Sequence, residues 1–480
     1  MNSSHSSSIT HACDVAIVGG GIAGMVAAVR SAERGLKVVV LEKGDDALYR
    51  CNSRFTGGAF HVCFHNVSDD ASGLENTIRE ATRGFANPSL AAAIASQGRT
   101  AVSWLKGQGI RFIKAGPNAW QHNFLAPPSL MESGLHWQGR GGDVMLRTLR
   151  DRLNALGGAL LQGARARRLE MDQGRCAGVW IDRQGREELV KALDVILCDG
   201  GFQANMSLMR EFVTPAPEKL KQRGAATGAG DALMMAREVG AALTGMQNVY
   251  GHLLCQDALQ NDSLWPYPIL DYVCGASVVV DRTGCRFMDE GLGGVYMTNC
   301  VARLDDPLSA TVILDREIWD GPATQFILPA NPHLVLAGGT VSAADSFAGL
   351  AAQLNLPTAQ LEATIAEYNR AVESGTTQQL MPARTTTSMR AYPIMHPPYY
   401  AVRIASGVTY TMGGLVVDEH GHVLRESGEQ IGGLHASGCT TGGVEGGSAA
   451  GYVGGLTKSA VMSLRVADKI ATDRMAVVRT

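Results

Sequence analysis

Cys13-Asp14-Val15-Ala16-Ile17-Val18-Gly19-Gly20-Gly21-Ile22-Ala23-Gly24 opens the stretch that decides the fold, and Lys37-Val38-Val39-Val40-Leu41-Glu42-Lys43 closes it. Asp14–Val18 is a short β-rich run that predicts a buried strand. Gly19, Gly21 and Gly24 fit the spacing G-x-G-x-x-G. The first permits a tight turn, the second lets the backbone approach a pyrophosphate, and the third lets the following helix lie close to the strand. That helix is predicted over Ile22–Arg34. It starts at the turn, so its first amides, at Ile22 and Ala23, can hold phosphate oxygens. Gly35 ends it. Val38–Leu41 returns as a second strand with Glu42 and Lys43 at its end. Glu42 lies about twenty residues past the first glycine, where a carboxylate can accept hydrogen bonds from a ribose hydroxyl. An acid there suits NAD or FAD better than NADP, whose 2′-phosphate it would repel.

Strand, glycine triplet, helix, strand and terminal acid in this order carry far more weight than a glycine triplet alone. The chain has 480 residues, too many for one simple core, so two interleaved domains are expected. A net charge of −3 points to neither nucleic acid nor an acidic membrane as partner. The 57 glycines recur in doublets, which suggests many close backbone approaches to a ligand. Met1–His11 is polar and serine-rich and reads as a disordered tail with no signal peptide. No apolar run is long enough to span a membrane. The ten cysteines are scattered with no C-x-x-C, which argues against zinc and iron–sulfur sites and for reduced thiols in the cytoplasm.

Further along, Tyr49-Arg50-Cys51-Asn52-Ser53-Arg54-Phe55-Thr56-Gly57-Gly58 is a polar turn closed by a glycine pair. Helices are predicted over Leu74–Gly84 and Ser89–Gly107, and another before Leu156. Leu160–Gly163, Arg165–Met171, Cys176–Asp182 and Glu188–Leu193 read as a meander of short strands. Val195–Cys198 reads as a separate buried strand ending at Asp199-Gly200-Gly201-Phe202. A helix over Ala232–Val239 follows, with a threonine or aspartate near its start available to cap it. Residues 246–380 have fewer glycine motifs and more prolines, and read as an inserted second domain. Inside it Leu356–Ser374 is an amphipathic helix capped by Thr358. Tyr400–Ile404, Thr409–Gly414, Leu415–Asp418 and Leu434–Gly438 are predicted strands, and Leu456–Ala471 a final apolar helix.

Eight separated segments now line up in order: the first glycine motif, Asn52-Ser53 with Gly57-Gly58, Asp199-Gly200-Gly201-Phe202, Thr227-Gly228-x-Gly230-Asp231, Gly284-x-Arg286-Phe287-x-Asp289-Glu290, Tyr410-Thr411-Met412-Gly413-Gly414, Ala436-Ser437-Gly438, and the glycine-rich start of the last helix. Together they resemble the FAD-dependent fumarate reductase/succinate dehydrogenase flavoprotein superfamily. Within it, the Tyr49–Arg54 and Arg286–Gly291 segments look most like the tricarballylate dehydrogenase branch.

The resemblance implies an α/β fold: a discontinuous two-dinucleotide-binding-type FAD domain, Rossmann-like, with an inserted α+β capping domain. The FAD domain would comprise residues 12–245 and 381–480, the cap 246–380, with the active site between them. Gly19, Gly21 and Gly24 would hold the pyrophosphate, and Glu42, with Lys43 beside it, the adenosine ribose. Asn52, Ser53, Thr56, Gly57 and Gly58 would line the flavin, and Ala166 would offer its backbone to the adenine. Asp199, Gly200, Gly201, Thr227, Gly228 and Asp231 join the same cofactor wall. Gly438 and Cys439 would lie at the ribityl chain. Gly455, Leu456 and Thr457 would direct a helix N-terminus at the flavin O2, where reduced flavin carries negative charge.

Three departures bear on function. Quinol-linked members attach FAD through a histidine where this chain has Asn52. Cys439 stands where relatives place a glutamate. Tyr410 replaces the histidine before Thr-Met-Gly-Gly, and the acid arginine and a carboxylate-binding arginine around Gly446-Gly447-Ser448 are absent, with Tyr296, Thr298 and Asn299 near the first position. That argues against fumarate as substrate. Hydride chemistry at flavin N5 needs a group that moves a proton on the neighbouring carbon. Tyr410 is the leading candidate, then Tyr296. Each could instead be a packed aromatic. Arg54 could clamp a carboxylate or form an ion pair. Glu290 could relay protons or pair with Arg286. His61, His65 and His136 are further acid–base candidates, each equally readable as a loop histidine, and Cys51 reads as packing. The expected reaction makes or removes a carbon–carbon double bond beside a carboxylate or ketone. The substrate would be a small organic acid or, as the alternative, a 3-ketosteroid. A separate partner would carry the electrons. A non-catalytic, FAD-binding electron-relay protein is the reading outside enzymology. Because Asn52 cannot form the histidyl link, acid precipitation should leave all yellow colour in the supernatant; colour on the precipitated chain would show a covalent flavin.

Overall fold

The computed structural model describes residues 9–386 and 389–478. Residues 1–8 of the expected tail lie outside the described residues, while Ile9–His11 already belong to the first strand. β1 (Ile9–Val18), α1 (Ile22–Glu33) and β2 (Val38–Leu41) form the opening unit. Helices α2 (Ala71–Ala81), α3 (Pro88–Gly107) and α4 (Gly141–Ala155) follow. Then come β3 (Ala159–Leu161), β4 (Ala164–Asp172), β5 (Arg175–Arg183), β6 (Arg186–Leu197), β7 (Lys221–Gln222) and α5 (Asp231–Glu238). The middle supplies β8 (Val249–Cys255), β9 (Val278–Val280), α6 (Gly294–Ala302), β10 (Thr311–Asp315), β11 (Ser342–Ala344) and α7 (Thr358–Glu373). β12 (Tyr399–Thr411), β13 (His422–Leu424), β14 (Gln430–Ala436) and α8 (Gly455–Val478) complete the chain.

Two sheets organise these elements. The first runs β13-β14-β6-β1-β2-β3, with β4 and β5 continuing from β6. Its centre is parallel: β1 lies between β6 and β2, and β14 flanks β6. The second runs β7-β12-β10-β9, with β8 and β11 also on β12. Each sheet has its own apolar core. One draws on residues from Cys13 to Ile470, the other from Leu253 to Ile404. The second core therefore continues past residue 380 into β12, because Ala401, Val402 and Ile404 belong to it while Val408 belongs to the first.

Four expectations need correction. Glu188–Leu193 and Val195–Cys198 are one strand, β6. Its outer half pairs antiparallel with β5, and its inner half is buried between parallel neighbours, so its apolar pattern changes midway without a break. Likewise β12 runs unbroken through Ser406-Gly407. A Cβ on the facing Gly251 would strike the Gly407 carbonyl, so glycine here marks close strand approach rather than a turn. Thr358 does not cap α7, whose N-cap is Pro357 without a side-chain bond. Nor does Thr227 or Asp231 cap α5. Its N-cap is the left-handed Gly230, and the Asp199 carboxylate accepts from Ala232 N–H at 2.9 Å across the gap from β6.

Helix α1 is built of small residues and is buried along almost its whole length. It lies on the sheet because Gly24 has no side chain: a Cβ there would overlap the carbonyl oxygen of Gly19. Arg30 ties α1 to α8 through Asp468 at 2.8 Å. Replacing Gly24 with alanine must push helix and strand apart. Urea titration should show a loss of at least about 2 kcal/mol, and a wild-type midpoint would contradict the packing described.

Candidate active site

A cavity of about 1080 Å³ begins at the α1 N-terminus and ends between the two sheets. It lies just above the roughly 300–1,000 Å³ usual for small-molecule sites. The cofactor-side residues read from the sequence meet along it. Gly19, Gly21, Ile22, Ala23, Glu42, Lys43, Asn52, Ser53, Thr56, Gly57 and Gly58 line its first part. Ala166, Asp199, Gly200, Gly201, Thr227, Gly228, Asp231, Cys439, Gly455 and Leu456 line the rest. Three do not reach it. Gly24 packs on Gly19, Gly438 packs on Ala23, and Thr457 is buried inside α8.

The glycine turn is held from two sides. Glu42 accepts from Gly20 N–H at 2.9 Å and from Gly44 N–H at 2.7 Å, while Tyr49 donates its hydroxyl to Gly20 O at 2.7 Å. Burial raises the Glu42 pKa, and those two amides oppose the rise. Ser53 Oγ accepts from Ile22 N–H at 2.9 Å and so caps α1 from a distant loop. A Cβ on Gly21 would meet only Ser53 Oγ, at 3.3 Å, so the turn's outer face is open to the cavity. Asn52 donates to Thr409 O at 2.7 Å and accepts from Ala225 N–H at 2.8 Å, bracing the loop against β12. Asp231 pairs with Arg165 at 2.8 Å and Lys43 at 3.3 Å. Asp199 is pushed up to about 6 by burial. An open glycine turn, a helix N-terminus and a buried acid facing one long cavity fit an adenine dinucleotide.

A model of the FAD binding domain family matches residues 14–452. The chain belongs to this family. It is 26% identical to the NADH:fumarate oxidoreductase of Klebsiella pneumoniae, over 91% of this chain but only 45% of that one, so it spans under half of that relative. It is 25% identical to the 4-oxocyclohexanecarboxylate 2-dehydrogenase of Sinomonas cyclohexanicum, over 94% of this chain and 91% of that one. Among solved structures, the 3-ketosteroid Δ4-(5α)-dehydrogenase of Rhodococcus jostii, in complex with 4-androstene-3,17-dione, superposes with a TM-score of 0.73. The identity is 20%, covering 98% of this chain and 99% of that one. The likeness shows a shared α/β flavoprotein fold. No helix among the described residues is long and apolar enough to cross a membrane.

The far end of the cavity is aromatic. Tyr410 and Tyr296 both line it. Tyr410 donates to Glu445 Oε2 at 2.9 Å, and Glu445 forms a buried ion pair with Lys458, whose ammonium lies 5.2 Å from the Tyr410 ring centre. Glu445 Oε1 also accepts from Val453 and Gly454 N–H, each at 3.0 Å. Burial raises the Tyr410 pKa well above the ordinary phenol, with the Glu445 charge adding to it, so the phenol keeps its proton at neutral pH. Burial likewise raises Tyr296, to about 12. Tyr452 stacks on Tyr250 with ring centres 4.0 Å apart, and Tyr250 lies 5.2 Å from Tyr410.

Two candidates point elsewhere. Arg54 is buried against Asp143 with its guanidinium 4.7 Å from the Tyr49 ring centre, and it does not line the cavity. Its length lets it reach the helix α4 start instead of the chamber. Glu290 is fully buried among Arg286, at 2.5 Å, and Arg384, at 3.9 Å, and accepts from Val279 N–H. Both are ion pairs in the packing. His65 and His136 lie at the cavity rim, bonded to Cys63 O and paired with Glu132.

Sequence reading missed Glu445 and Lys458. A lone acid in a glycine-rich apolar stretch and a lone lysine in an apolar helix were the available signal, since such charges are buried only in pairs. It also missed Tyr250, His252, Asp271 and Tyr452, whose meeting depends on the second sheet.

His61 lines the cavity and is 3% exposed, with Nδ1 accepting from Phe64 N–H at 3.1 Å. Burial lowers its pKa to about 4 against the opposing Glu445 charge. The unfolded imidazole protonates below its ordinary pKa while the folded one stays neutral. Wild type therefore loses stability as pH falls from 6.5 to about 4. Against His61→Gln, the unfolding free energy should shift toward the variant by about 2–3 kcal/mol between neutral and acid pH. A pH-independent difference would exclude a neutral buried imidazole.

Proposed function

We propose that this protein is an FAD-dependent oxidoreductase of CH–CH bonds, introducing or removing a double bond beside a ketone or carboxylate. The observation that carries the reading is a tyrosine-walled chamber continuous with the dinucleotide cleft. Non-covalently bound FAD, gripped at Gly19–Ala23, Glu42, Ser53 and the α8 N-terminus, would supply hydride transfer at its N5.

The chain's own residues then bind and orient the substrate. Tyr410 stands beside Gly455, close enough that a Cβ there would lie 3.0 Å from the phenol oxygen. If Tyr410 turns its proton from Glu445 to a substrate oxygen, Glu445 keeps Lys458 and two backbone donors. The exchange leaves no buried charge unpaired, so Tyr410 can polarise a carbonyl. The walls around it are Tyr250, Tyr452, Tyr296, Trp120 and Phe64. Arg54 and its charge are spent inside the protein, and Arg223 donates to Thr409 Oγ1 and Pro266 O. Arg50 and Arg83 also line the cavity, both exposed, and could each face one carboxylate. A ring ketone, or a ring bearing one carboxylate, fits the lining. Electrons would pass to or from a separate carrier. Ten unpaired thiols support a reducing compartment such as the cytoplasm.

Anaerobic mixing of the yellow protein with 4-oxocyclohexanecarboxylate or 4-androstene-3,17-dione should bleach the flavin band. Fumarate offered to the reduced protein should recolour it poorly. Fast recolouring by fumarate with no bleaching by either ketone would reverse the substrate assignment, and no response to any of them would remove the enzyme reading. Tyr410→Phe should keep its flavin and turn over at least about tenfold more slowly; unchanged turnover would take Tyr410 out of the mechanism.

A further inference from the structure

Three polar side chains stand in line on the cap side of the chamber. His252 Nδ1 lies 2.6 Å from Asp271 Oδ2, and His252 Nε2 lies 3.1 Å from the Tyr250 hydroxyl. All three line the cavity. We propose that Tyr250 is the acid–base residue that exchanges a proton with the substrate carbon, with His252 and Asp271 as its relay. The proposal rests on the CH–CH reading above.

The geometry assigns the protons. Asp271 can only accept from Nδ1–H, which leaves Nε2 as a lone pair facing the Tyr250 hydroxyl. Tyr250 therefore donates to His252, and of its two oxygen lone pairs one faces the Tyr452 hydroxyl while the other is left for a proton from the chamber. Asp271 is itself fixed. Its Oδ1 accepts from Leu253 N–H at 2.9 Å, and a side chain on Gly294, the first residue of α6, would overlap its carboxylate. A carboxylate at a helix N-terminus is favoured by the helix dipole. Tyr250 is held by its stack on Tyr452. The β8–β12 ladder shifts register between Tyr250 and Gly251. Such irregularities re-aim side chains near active sites. Packing alone needs a tyrosine there, but it does not need an imidazole and a carboxylate lined up behind the hydroxyl.

In dehydrogenation, the proton on the carbon next to the carbonyl passes to Tyr250 Oη as the Tyr250 proton passes to His252 Nε2. The resulting imidazolium is paired with Asp271. The C–H electron pair left behind would form the new double bond, and oxidised FAD held at the Gly19–Ala23 turn and the α8 N-terminus would supply the hydride acceptor for the neighbouring carbon. Reduction runs the same path backwards. Tyr410 holds the carbonyl oxygen meanwhile, so the two tyrosines have separate tasks.

Proton exchange can be watched without net turnover. The holoenzyme, its flavin held reduced by dithionite, is incubated with 4-oxocyclohexanecarboxylate in D2O, and loss of the α-hydrogen signals is followed by NMR. The wild-type protein should accelerate exchange. Tyr250→Phe, which keeps the stack, and Asp271→Asn should each slow it at least about 100-fold. The asparagine keeps the acceptor for Leu253 N–H but turns an amide donor toward His252 Nδ1. The imidazole then carries its hydrogen on Nε2 and cannot accept from Tyr250. In steady state the same variants should lose kcat while KM stays within about threefold, because binding contacts remain. Flavin content and melting temperature check that both variants fold. No exchange by the wild-type protein, or full exchange by either folded variant, overturns the relay. The CH–CH reading fails separately, when none of the three compounds named above changes the flavin spectrum.

Discussion

The structure depends on how closely α1 approaches the strand turn before it. At Gly24 the helix backbone sits against the Gly19 carbonyl, nearer than any side chain allows. That contact places the α1 N-terminus at the mouth of the cavity. It also lets Ser53, from a loop 31 residues away, reach Ile22 N–H. Glu42 and Tyr49 then fix the intervening Gly20 through its amide and carbonyl. Four segments are thereby locked around one turn, and the turn's open side is what remains for a ligand.

Elsewhere, buried ion pairs make the joints. Arg54 with Asp143 joins the loop after β2 to α4, Glu290 with Arg286 and Arg384 ties together the second core, and Glu445 with Lys458 joins the last glycine loop to α8. Such pairs contribute little net stability, because desolvation offsets the attraction, but breaking one leaves a buried charge and costs about 3–5 kcal/mol. Their value here is positional. Glu445 takes donors from β12, from the 453–454 backbone and from α8, so the Tyr410 hydroxyl has a defined place before any substrate arrives.

Local sequence made the first unit readable. The β-rich run, the glycine spacing, the small-residue helix and the terminal acid all act within thirty residues or so, where periodicity and turn chemistry suffice. Strand continuity was harder. β6 and β12 each serve two environments, so their burial patterns switch midway and look like two short strands. The direction of Arg54 could not be read at all. Its partner Asp143 is 89 residues away, and an arginine beside a cofactor loop looks the same in sequence whether it faces the chamber or the packing. The Tyr250–His252–Asp271 line escaped for a similar reason. Two members share a strand face at i and i+2, a visible pattern, but the third enters from a separate helix start, and only the folded cap brings it to 2.6 Å.

The chamber's chemistry follows from the burial of its phenols and of His61. Burial keeps the phenols of Tyr410 and Tyr250 protonated and the imidazole of His61 neutral. In such surroundings a hydrogen bond to a neutral oxygen strengthens, while a second or third carboxylate brings desolvation that the walls do not repay. Two of the acids in the chamber stand behind a polar side chain, Glu445 behind Tyr410 and Asp271 behind His252. A proton can then be taken or given at a phenol oxygen while the compensating charge stays one residue removed from the substrate. For the reaction proposed above, that division suits a carbon acid made reactive by a ketone.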